Sequence, residues 1–220
     1  MSSDKKLFIK FADENNLKKV KECLELGVDV NASDGDFEFT AAHKAAIRGH
    51  FEVIQLLAAN DQMDWKKTDK QGWTPLHVAL YKGQYEVAEI ILQQDKEKLN
   101  LNLKTRWHGY TIAHLAVMGE IIPCVDLLAK QENCQCWNIP DQGGDTPIMD
   151  TIRLANPDIL KILLECPRVD PNMKNRDGDS PLMMAIKREE VDMARILIKS
   201  PRVDLRIKDR AGSTLQRIAR

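Results

Sequence analysis

A hydroxyl-bearing residue returns at an almost constant interval along this chain, and that periodicity restricts its possible folds more than any other feature. The members of the series are Thr40, Thr74, Thr111, Thr146, Ser180 and Thr214. Neighbouring members are separated by 34, 37, 35, 34 and 34 positions. A period of roughly 20–50 residues is typical of proteins built from stacked copies of one small structural unit. We therefore expect an array in which each unit buries its apolar face against the next.

The segments that follow these residues have the features of helix starts. A threonine or serine side chain caps a helix N-terminus well, and Pro75, Pro147 and Pro181 stand at the next position, which suits a first helical turn. The stretch 74–79 reads Thr-Pro-Leu-His-Val-Ala, which closely resembles the Thr-Pro-Leu-His-x-Ala signature of the ankyrin-repeat family. The resemblance covers essentially the whole chain. It implies an all-α ankyrin-repeat solenoid of stacked helix-turn-helix units with projecting hairpin loops.

A second apolar segment follows each helix start and predicts a second helix. Apolar residues cluster there at i, i+1, i+3 and i+4, over 53–57, 87–91, 125–128, 159–163 and 193–197. Such spacing gives an apolar stripe too wide for a single partner helix. Neighbouring helix pairs must therefore stack to bury it.

The periodicity also places the repeat boundaries within a single domain, 1–220. The repeats cover about 1–33, 34–67, 68–104, 105–139, 140–173 and 174–207, with a partial repeat at 208–220. The first repeat lacks the Thr-Pro signature, and the seventh ends within its first helix. Either this half-repeat caps the array or the chain is an excerpt of a longer protein, and we expect the excerpt because terminal repeats need a polar outer face.

Charge and cysteine usage restrict the class of partner and the compartment. The 32 basic and 33 acidic residues nearly cancel, so a globally basic nucleic-acid binder is disfavoured. The segment 199–220 is basic but lacks the aromatic residues that stack on bases, and nucleic-acid binding is not expected. No apolar run approaches the ~18 residues that span a bilayer, and no signal-peptide core is present. Five cysteines without a disulfide framework indicate reduced thiols and a cytoplasmic or nuclear location.

Three histidines could suggest a metal site, but their spacing argues against one. His43, His77 and His114 recur at one repeat position, and packed helix layers lie about 8–10 Å apart, too far to share an ion. The family resemblance implies instead that each histidine hydrogen-bonds the backbone of a neighbouring loop. Met149 and Met183 take this position in later repeats, which should therefore lack that link.

Neither a metal centre nor an active site is indicated elsewhere. Cys134 and Cys136 are the only close cysteine pair, and zinc needs about four ligands. The sequence contains no phosphate-binding glycine loop, no Gly-x-Ser-x-Gly and no His-Glu-x-x-His. We expect no catalysis, no cofactor and no metal.

Aromatic residues mark the predicted binding surface. Of 12 in the chain, six fall on hairpin tips or the inner helix surface, at positions that the family leaves variable. They are Phe37, Phe39, Trp73, Tyr81, Trp107 and Tyr110. Phe39, Trp73 and Tyr110 each precede the capping threonine, so they should form a row, which Asp145 and Asp179 continue as acidic residues. Exposed Trp and Tyr side chains are enriched at binding hot spots; the alternative is that they pack against the next hairpin.

Basic residues beside the aromatic residues indicate the charge of the partner. Lys70, Arg48 and Lys82, with Arg106, Arg153, Lys187 and Arg188, should make the inner surface basic. We therefore expect a monomeric module that recruits a protein or a peptide of acidic or mixed charge.

Two other functions stay open at this point. In a nucleotide- or oligonucleotide-sensing ankyrin domain of a larger effector enzyme, Trp73 or Tyr110 would stack on a base. An engineered scaffold is disfavoured by the uneven repeat spacing and by Pro123 in a second helix.

Overall fold

In repeats two to six the first helix begins where the hydroxyl series places it. In this computed structural model residues 2–132, 134–206, 208 and 212 are described, and within them the chain forms twelve α-helices and one pair of short strands. Packing divides the chain into two compact units, Met1–Asn100 and Leu101–Arg220. The predicted all-α fold is confirmed.

Unit one contains three helix pairs. They are α1 (Ser2–Asp13) with α2 (Leu17–Glu25), α3 (Ala41–Arg48) with α4 (Phe51–Ala58), and α5 (Pro75–Tyr81) with α6 (Tyr85–Leu92). The strands β1 (Ser33–Asp34) and β2 (Phe39–Thr40) form an antiparallel hairpin before α3, with Ser33 opposite Thr40. Helix α3 packs on both α1 and α5, and α4 packs on both α2 and α6. First helices therefore stack on first helices and second helices on second helices, as the wide apolar stripe predicts.

Unit two repeats this arrangement. Its pairs are α7 (Ile112–Met118) with α8 (Ile122–Lys130), α9 (Pro147–Arg153) with α10 (Pro157–Glu165), and α11 (Pro181–Lys187) with α12 (Val191–Lys199). Helix α9 lies between α7 and α11, and α10 lies between α8 and α12. The core of each repeat contains the apolar residues predicted for its second helix, such as Ile159, Leu160 and Leu163 in α10, which are fully buried.

The helix caps explain why histidine accompanies threonine in this sequence. At the start of α3 the backbone N–H of His43 donates to Thr40 Oγ1 at 3.3 Å, and the backbone N–H of Thr40 donates to His43 Nδ1 at 3.3 Å. The two side chains also hydrogen-bond to each other, at 2.8 Å between Oγ1 and Nδ1. Thr74 with His77 and Thr111 with His114 form the same reciprocal cap. Each cap satisfies backbone donors that a helix start would otherwise leave free.

Two cysteines differ from the prediction of five reduced thiols. Cys134 and Cys136 are buried and joined by a disulfide, with Cα atoms 5.4 Å apart. That separation lies within the range that a disulfide spans, so the prediction is wrong for this pair, whereas Cys23, Cys124 and Cys166 are not disulfide-bonded. A cytoplasmic or nuclear location stays a prediction, without the support that five reduced thiols gave it.

Two features of the array stay predictions. The partial repeat 208–220 lies almost wholly outside the described residues, and the division into repeats of one domain is untested. Among the helices described here, none has the length and apolar character needed to cross a membrane.

Candidate partner-binding surface

The hairpin tip before α5 holds Trp73 in a fixed backbone frame. Asp69 is buried, and its Oδ1 accepts the backbone N–H of Gln71 at 2.8 Å and that of Trp73 at 2.9 Å. The N–H of Asp69 donates in turn to the carbonyl of Trp73 at 2.9 Å. Gly72 closes the turn with φ at +79°, a conformation that glycine adopts without strain. The backbone of Trp73 is therefore fixed before any partner arrives.

Trp73 and Tyr81 form an aromatic corner. Their ring centroids lie 5.1 Å apart with the planes at 81°, an edge-to-face contact. Trp73 is half-buried, whereas Tyr81 is 53% exposed. Trp73 also meets the ring of His77, with centroids 6.4 Å apart. The tryptophan thus packs within its own repeat and still presents part of its ring to solvent.

Phe37 and Phe39 form a second aromatic pair on the preceding hairpin. Their rings stack with centroids 5.6 Å apart and planes at 18°. Phe39 lies over the ring of His43 at 6.0 Å and is half-buried, while Phe37 is 53% exposed. The carbonyl of Phe37 accepts the backbone N–H of Lys70 at 3.0 Å, which ties this tip to the next. We call Phe37, Phe39, Trp73 and Tyr81 the aromatic surface.

The three basic residues predicted for the site in unit one differ in their partners. Lys82 is exposed, and its Nζ lies 5.2 Å from the ring centroid of Tyr81. Lys70 is also exposed, and among the described residues neither lysine forms an ion pair. Arg48, in contrast, donates from Nε to Asp13 Oδ1 at 2.9 Å. Its charge is therefore matched within the chain.

In unit two the remaining aromatic residues of the predicted site lie on one hairpin. Trp107 is 69% exposed at its tip, and Tyr110 stacks on His108 with centroids 5.1 Å apart and planes at 5°. The carbonyl of His108 accepts the N–H of Gln142 at 2.8 Å. Tyr110 also contacts the ring of His114. In the same way Phe39 contacts the ring of His43 and Trp73 contacts the ring of His77. Because Phe39 and Trp73 belong to unit one, a row that continues to Tyr110 stays a prediction.

Repeats five and six carry ion pairs where the sequence predicts free positive charge. Arg153 Nη2 lies 2.7 Å from Asp145 Oδ2 and 2.6 Å from Asp150 Oδ1, and Lys187 Nζ lies 2.5 Å from Asp179 Oδ1. The expectation of a basic inner surface is therefore wrong at these two cations. The physical reason is that the acidic residue before the helix cap meets the basic residue eight positions later, at the end of the same helix. A count of charges along the sequence does not reveal such pairs.

Asp150 is an unusual carboxylate within this charged region. It is 3% exposed, and its Oδ2 is buried without a hydrogen-bond partner among the described residues. Burial raises the pKa of Asp150 to about 7, with the carboxylates of Asp141 and Asp145 adding to the shift and Arg153 opposing it. Near neutral pH this group is therefore partly protonated.

The histidines act as links between repeats, as the family resemblance implies. His43 Nε2 donates to the Trp73 carbonyl at 2.9 Å, and His114 Nε2 donates to the Asp145 carbonyl at 3.1 Å. The donor role follows because Nδ1 of each ring accepts a backbone N–H. Burial lowers the pKa of His114 to about 4 and also lowers the pKa of His43, so both rings are neutral at pH 7.

Two structural determinants have no counterpart in the sequence-based interpretation. Asn138 and Asn172 each bridge to the next repeat: Asn138 donates to the Arg168 carbonyl at 2.7 Å, and Asn172 donates to the Arg202 carbonyl at 2.8 Å. Arg202 donates from Nη1 to the carbonyls of Leu164 and Cys166, at 2.8 and 2.7 Å. The recurrence of asparagine after 34 residues could have revealed the two asparagine bridges, whereas only the fold reveals the contacts of Arg202.

Metal-ligating side chains do not come together among the residues that the structure describes. Among them, no three His, Cys, Asp or Glu side chains are placed to hold a metal ion. The arrangement offers half-exposed aromatic rings and flanking ammonium groups on rigid hairpins. Its chemistry is therefore that of a contact surface.

Comparison with known proteins assigns the fold to a family. A model described as ankyrin repeats (three copies) matches residues 8–105, 97–175 and 156–219. The ankyrin-repeat domain of Bcl-3, a member of the IκB family, superposes with a TM-score of 0.85 over 97% of this chain and 93% of that one, at 21% identity. A chain in the structure of the Bdellovibrio bacteriovorus predatory endopeptidase Bd0816 in complex with immunity protein Bd3460 superposes with a TM-score of 0.73 at 24% identity, over 87% of this chain and 96% of that one.

Sequence relatives extend across distant organisms. The target of rapamycin complex 2 subunit AVO2 of Saccharomyces cerevisiae is 27% identical over 74% of this chain and 38% of that protein. The putative ankyrin repeat protein YahD of Escherichia coli is 27% identical over 70% of this chain and 76% of its own length. Alpha-latrotoxin-Lg1a of Latrodectus geometricus is 30% identical over 41% of this chain. The chain spans only 6%, 38% and 12% of the length of the toxin, of AVO2 and of mouse Rabankyrin-5. The family model nevertheless covers nearly all of the chain, which therefore belongs to the ankyrin-repeat family.

Proposed function

We propose that this chain is a recruitment module that docks a protein or peptide partner on its hairpin and inner-helix face, without catalysis. Ankyrin repeats are in general protein–protein interaction modules, and this chain belongs to that family. The observation that carries the proposal here is the aromatic corner of Trp73 and Tyr81, held by a hydrogen-bonded hairpin. Rigid aromatic side chains that are partly exposed bind at low entropic cost, which is why they dominate binding hot spots.

Three further observations support a docking role for this face. Phe37 and Trp107 are more than half exposed, although removing such apolar rings from water would stabilise the folded chain. Both lie on hairpins whose backbone carbonyls are tied to the next hairpin. Among the described residues, no three His, Cys, Asp or Glu side chains are placed to hold a metal ion.

Affinity capture tests the proposal. The immobilised chain is exposed to extract of its source, and bound proteins are identified by mass spectrometry for the wild type and for Trp73→Ala/Tyr81→Ala. Phe51→Ala is the matched control, because Phe51 is an exposed aromatic residue of unit one at the start of α4, outside the aromatic surface. We expect one or more proteins to be retained by the wild type and the control and lost from the double variant.

Treatment of the extract with nuclease separates recruitment from nucleotide sensing. A partner that survives nuclease and depends on Trp73 supports recruitment. Retention of RNA fragments, lost steeply with added salt, would favour the alternative in which Trp73 or Tyr110 stacks on a base.

A further inference from the structure

We propose that the segment recognised by the aromatic surface is an acidic peptide in an extended, polyproline II-like conformation, with an apolar side chain at every third residue. This inference rests on the proposed function and adds the chemistry of the partner. It follows from the positions of the lysines, from the absence of an ion pair at Lys70 and Lys82 among the described residues, and from the spacing of the repeats.

The lysines lie against the rings that would contact the partner. Lys44 Nζ lies 5.3 Å from the ring centroid of Phe39, and Lys82 Nζ lies 5.2 Å from that of Tyr81. Each ammonium group is thus held beside an aromatic face by a cation–π contact. An apolar side chain that covers such a ring brings its neighbouring residues within reach of the ammonium group.

The charge on this surface is not balanced within unit one. Among the described residues Lys82 and Lys70 form no ion pair, and Lys44 lies at 3.8 Å from Asp13, a longer contact than the 2.9 Å pair of Arg48 with the same carboxylate. In repeats five and six Arg153 and Lys187 hold the position of Tyr81, and they pair with Asp145 and Asp179. Within the described part of the chain, Lys70 and Lys82 thus place positive charge without a paired carboxylate beside the aromatic surface, where it favours carboxylates on the partner.

The acidic residues nearby limit where those carboxylates can lie. Asp36 and Glu38 are exposed on the tip between β1 and β2, next to Phe37 and Phe39. They would repel an acidic partner over that tip. We therefore place the partner's carboxylates over the helical side of the surface, beside Lys44 and Lys82.

The repeat spacing favours an extended backbone with a period of three. Phe39 and Trp73 hold the same position in adjacent repeats, and α3 packs directly on α5. Packed helices lie about 8–10 Å apart. A polyproline II segment rises about 3.1 Å per residue with three residues per turn, so residues i and i+3 share a face about 9 Å apart. An apolar residue at every third position thus meets successive repeats.

Three synthetic peptides test this assignment with the whole 220-residue chain. The probe is a fluorescein-labelled peptide of four Leu-Pro-Glu repeats, and the comparison peptides replace every Glu with Lys or every Leu with Ser. Fluorescence anisotropy gives the Kd of each. We expect the Leu-Pro-Glu peptide to bind at least tenfold more tightly than either comparison peptide, with the preference over the lysine peptide shrinking as salt is added.

Charge variants locate the contact. Lys82→Gln keeps most of the side-chain stem and should weaken the Leu-Pro-Glu peptide about threefold, with a further loss when Lys70→Gln is added. Lys161→Gln in α10 makes the same change of net charge at an exposed lysine of unit two that is not part of the aromatic surface, and it should leave the Kd unchanged. Trp73→Ala should weaken the peptide about 30-fold.

The outcomes separate this inference from the proposed function. If the lysine peptide binds as tightly, or Lys82→Gln and Lys161→Gln behave alike, the acidic assignment is wrong. If the Leu-Pro-Glu peptide fails to bind while a captured protein still depends on Trp73 and Tyr81, the inference fails and the docking function stands. If no peptide binds and no captured protein depends on these residues, both fail.

Discussion

Trp73 and Tyr81 lie eight residues apart and meet edge to face, with ring centroids separated by 5.1 Å. The first residue precedes the helix cap and the second ends helix α5. One turn of hairpin and two turns of helix therefore bring them to the same place on the inner surface. In repeat six Asp179 and Lys187 hold these two positions and form an ion pair at 2.5 Å. The same geometry thus supports an aromatic contact in one repeat and a salt bridge in another.

This relationship explains how one scaffold carries two kinds of surface. The aromatic pair leaves rings available to a partner, whereas the Asp–Lys and Asp145–Arg153 pairs satisfy each other. In these pairs the carboxylates of Asp145 and Asp179 are largely buried, whereas the side chains of Arg153 and Lys187 are more exposed.

A first prediction concerns the pH dependence that Asp150 imposes. Its pKa of about 7 in the folded protein exceeds the 3.8 of the free group, so the folded state binds the extra proton. Its contribution to stability is therefore fully present below pH 3.8 and is lost as the pH rises through 7. Between pH 8 and pH 6.5 the free energy of unfolding of the wild type should rise by about 1 kcal/mol relative to Asp150→Asn.

Urea titrations of both proteins at a series of pH values measure that difference. Asp158→Asn, at an exposed carboxylate of α10, is the control and should follow the wild type. A wild-type curve parallel to that of Asp150→Asn over this range would show that Asp150 is ionised throughout.

A second prediction concerns Arg202 as a cap for α10. Its guanidinium donates to the carbonyls of Leu164 and Cys166, at the C-terminal end of that helix. Carbonyls at a helix C-terminus carry partial negative charge, which a cation stabilises. Arg202→Gln should lower the free energy of unfolding by about 2 kcal/mol, because it removes charged hydrogen bonds and leaves half-buried carbonyls unpaired.

Arg206→Gln is the matched control, since Arg206 is exposed and, in the described part of the chain, pairs only with Asp204. It should change the free energy of unfolding by about 0.5 kcal/mol or less. Equal losses in the two variants would mean that Arg202 acts only through net charge.

A third prediction concerns the order in which the array opens. Met149 and Met183 replace the histidine that links adjacent repeats through Nε2. Nearest-neighbour contacts dominate the stability of repeat arrays, so amide hydrogen exchange should be fastest beyond about residue 175 and slowest in repeats two to four. Uniform protection factors along the chain would contradict this order.

Local features of the fold could be predicted from the sequence because they depend on neighbours within a few residues. Thr74 and His77 form their cap within a single turn, so their pattern alone indicates a helix start. The apolar stripe of α10 also depends only on residues close in sequence. It predicts a stacked neighbour, because a single partner helix would leave part of the stripe exposed to water. Family membership follows from the recurrence of such local patterns at a constant interval.

Features that depend on contacts between repeats could not be predicted in this way. Arg153 and Lys187 count as free cations in a sequence, but they pair with carboxylates eight residues away. The Asn175 amide donates to Asp145 Oδ1 at 2.9 Å, which supplies repeats five and six with a link that no motif indicates. The Cys134–Cys136 disulfide was also missed, because an odd number of cysteines without a disulfide framework predicts reduced thiols.

The aromatic residues illustrate both cases. Phe37, Tyr81 and Trp107 are more than half exposed, as a binding role requires. Trp73 and Tyr110 are half-buried and contact rings of their own repeats. The same side chains therefore contribute to packing within the repeat and are the ones proposed to contact a partner. Their share in binding stays a prediction that exposure alone does not decide.

The most direct test of the account compares affinity and stability for Trp73→Ala and Ile91→Ala. Ile91 is fully buried in α6, so its truncation leaves a cavity and should cost about 2–5 kcal/mol of stability. Trp73→Ala should weaken binding of the captured partner by about 2 kcal/mol or more while lowering stability much less. The Kd per folded molecule and the free energy of unfolding are measured for each. A Trp73→Ala protein that loses as much stability as Ile91→Ala, yet binds with unchanged Kd when folded, would show that the aromatic surface is packing alone and contradict the account.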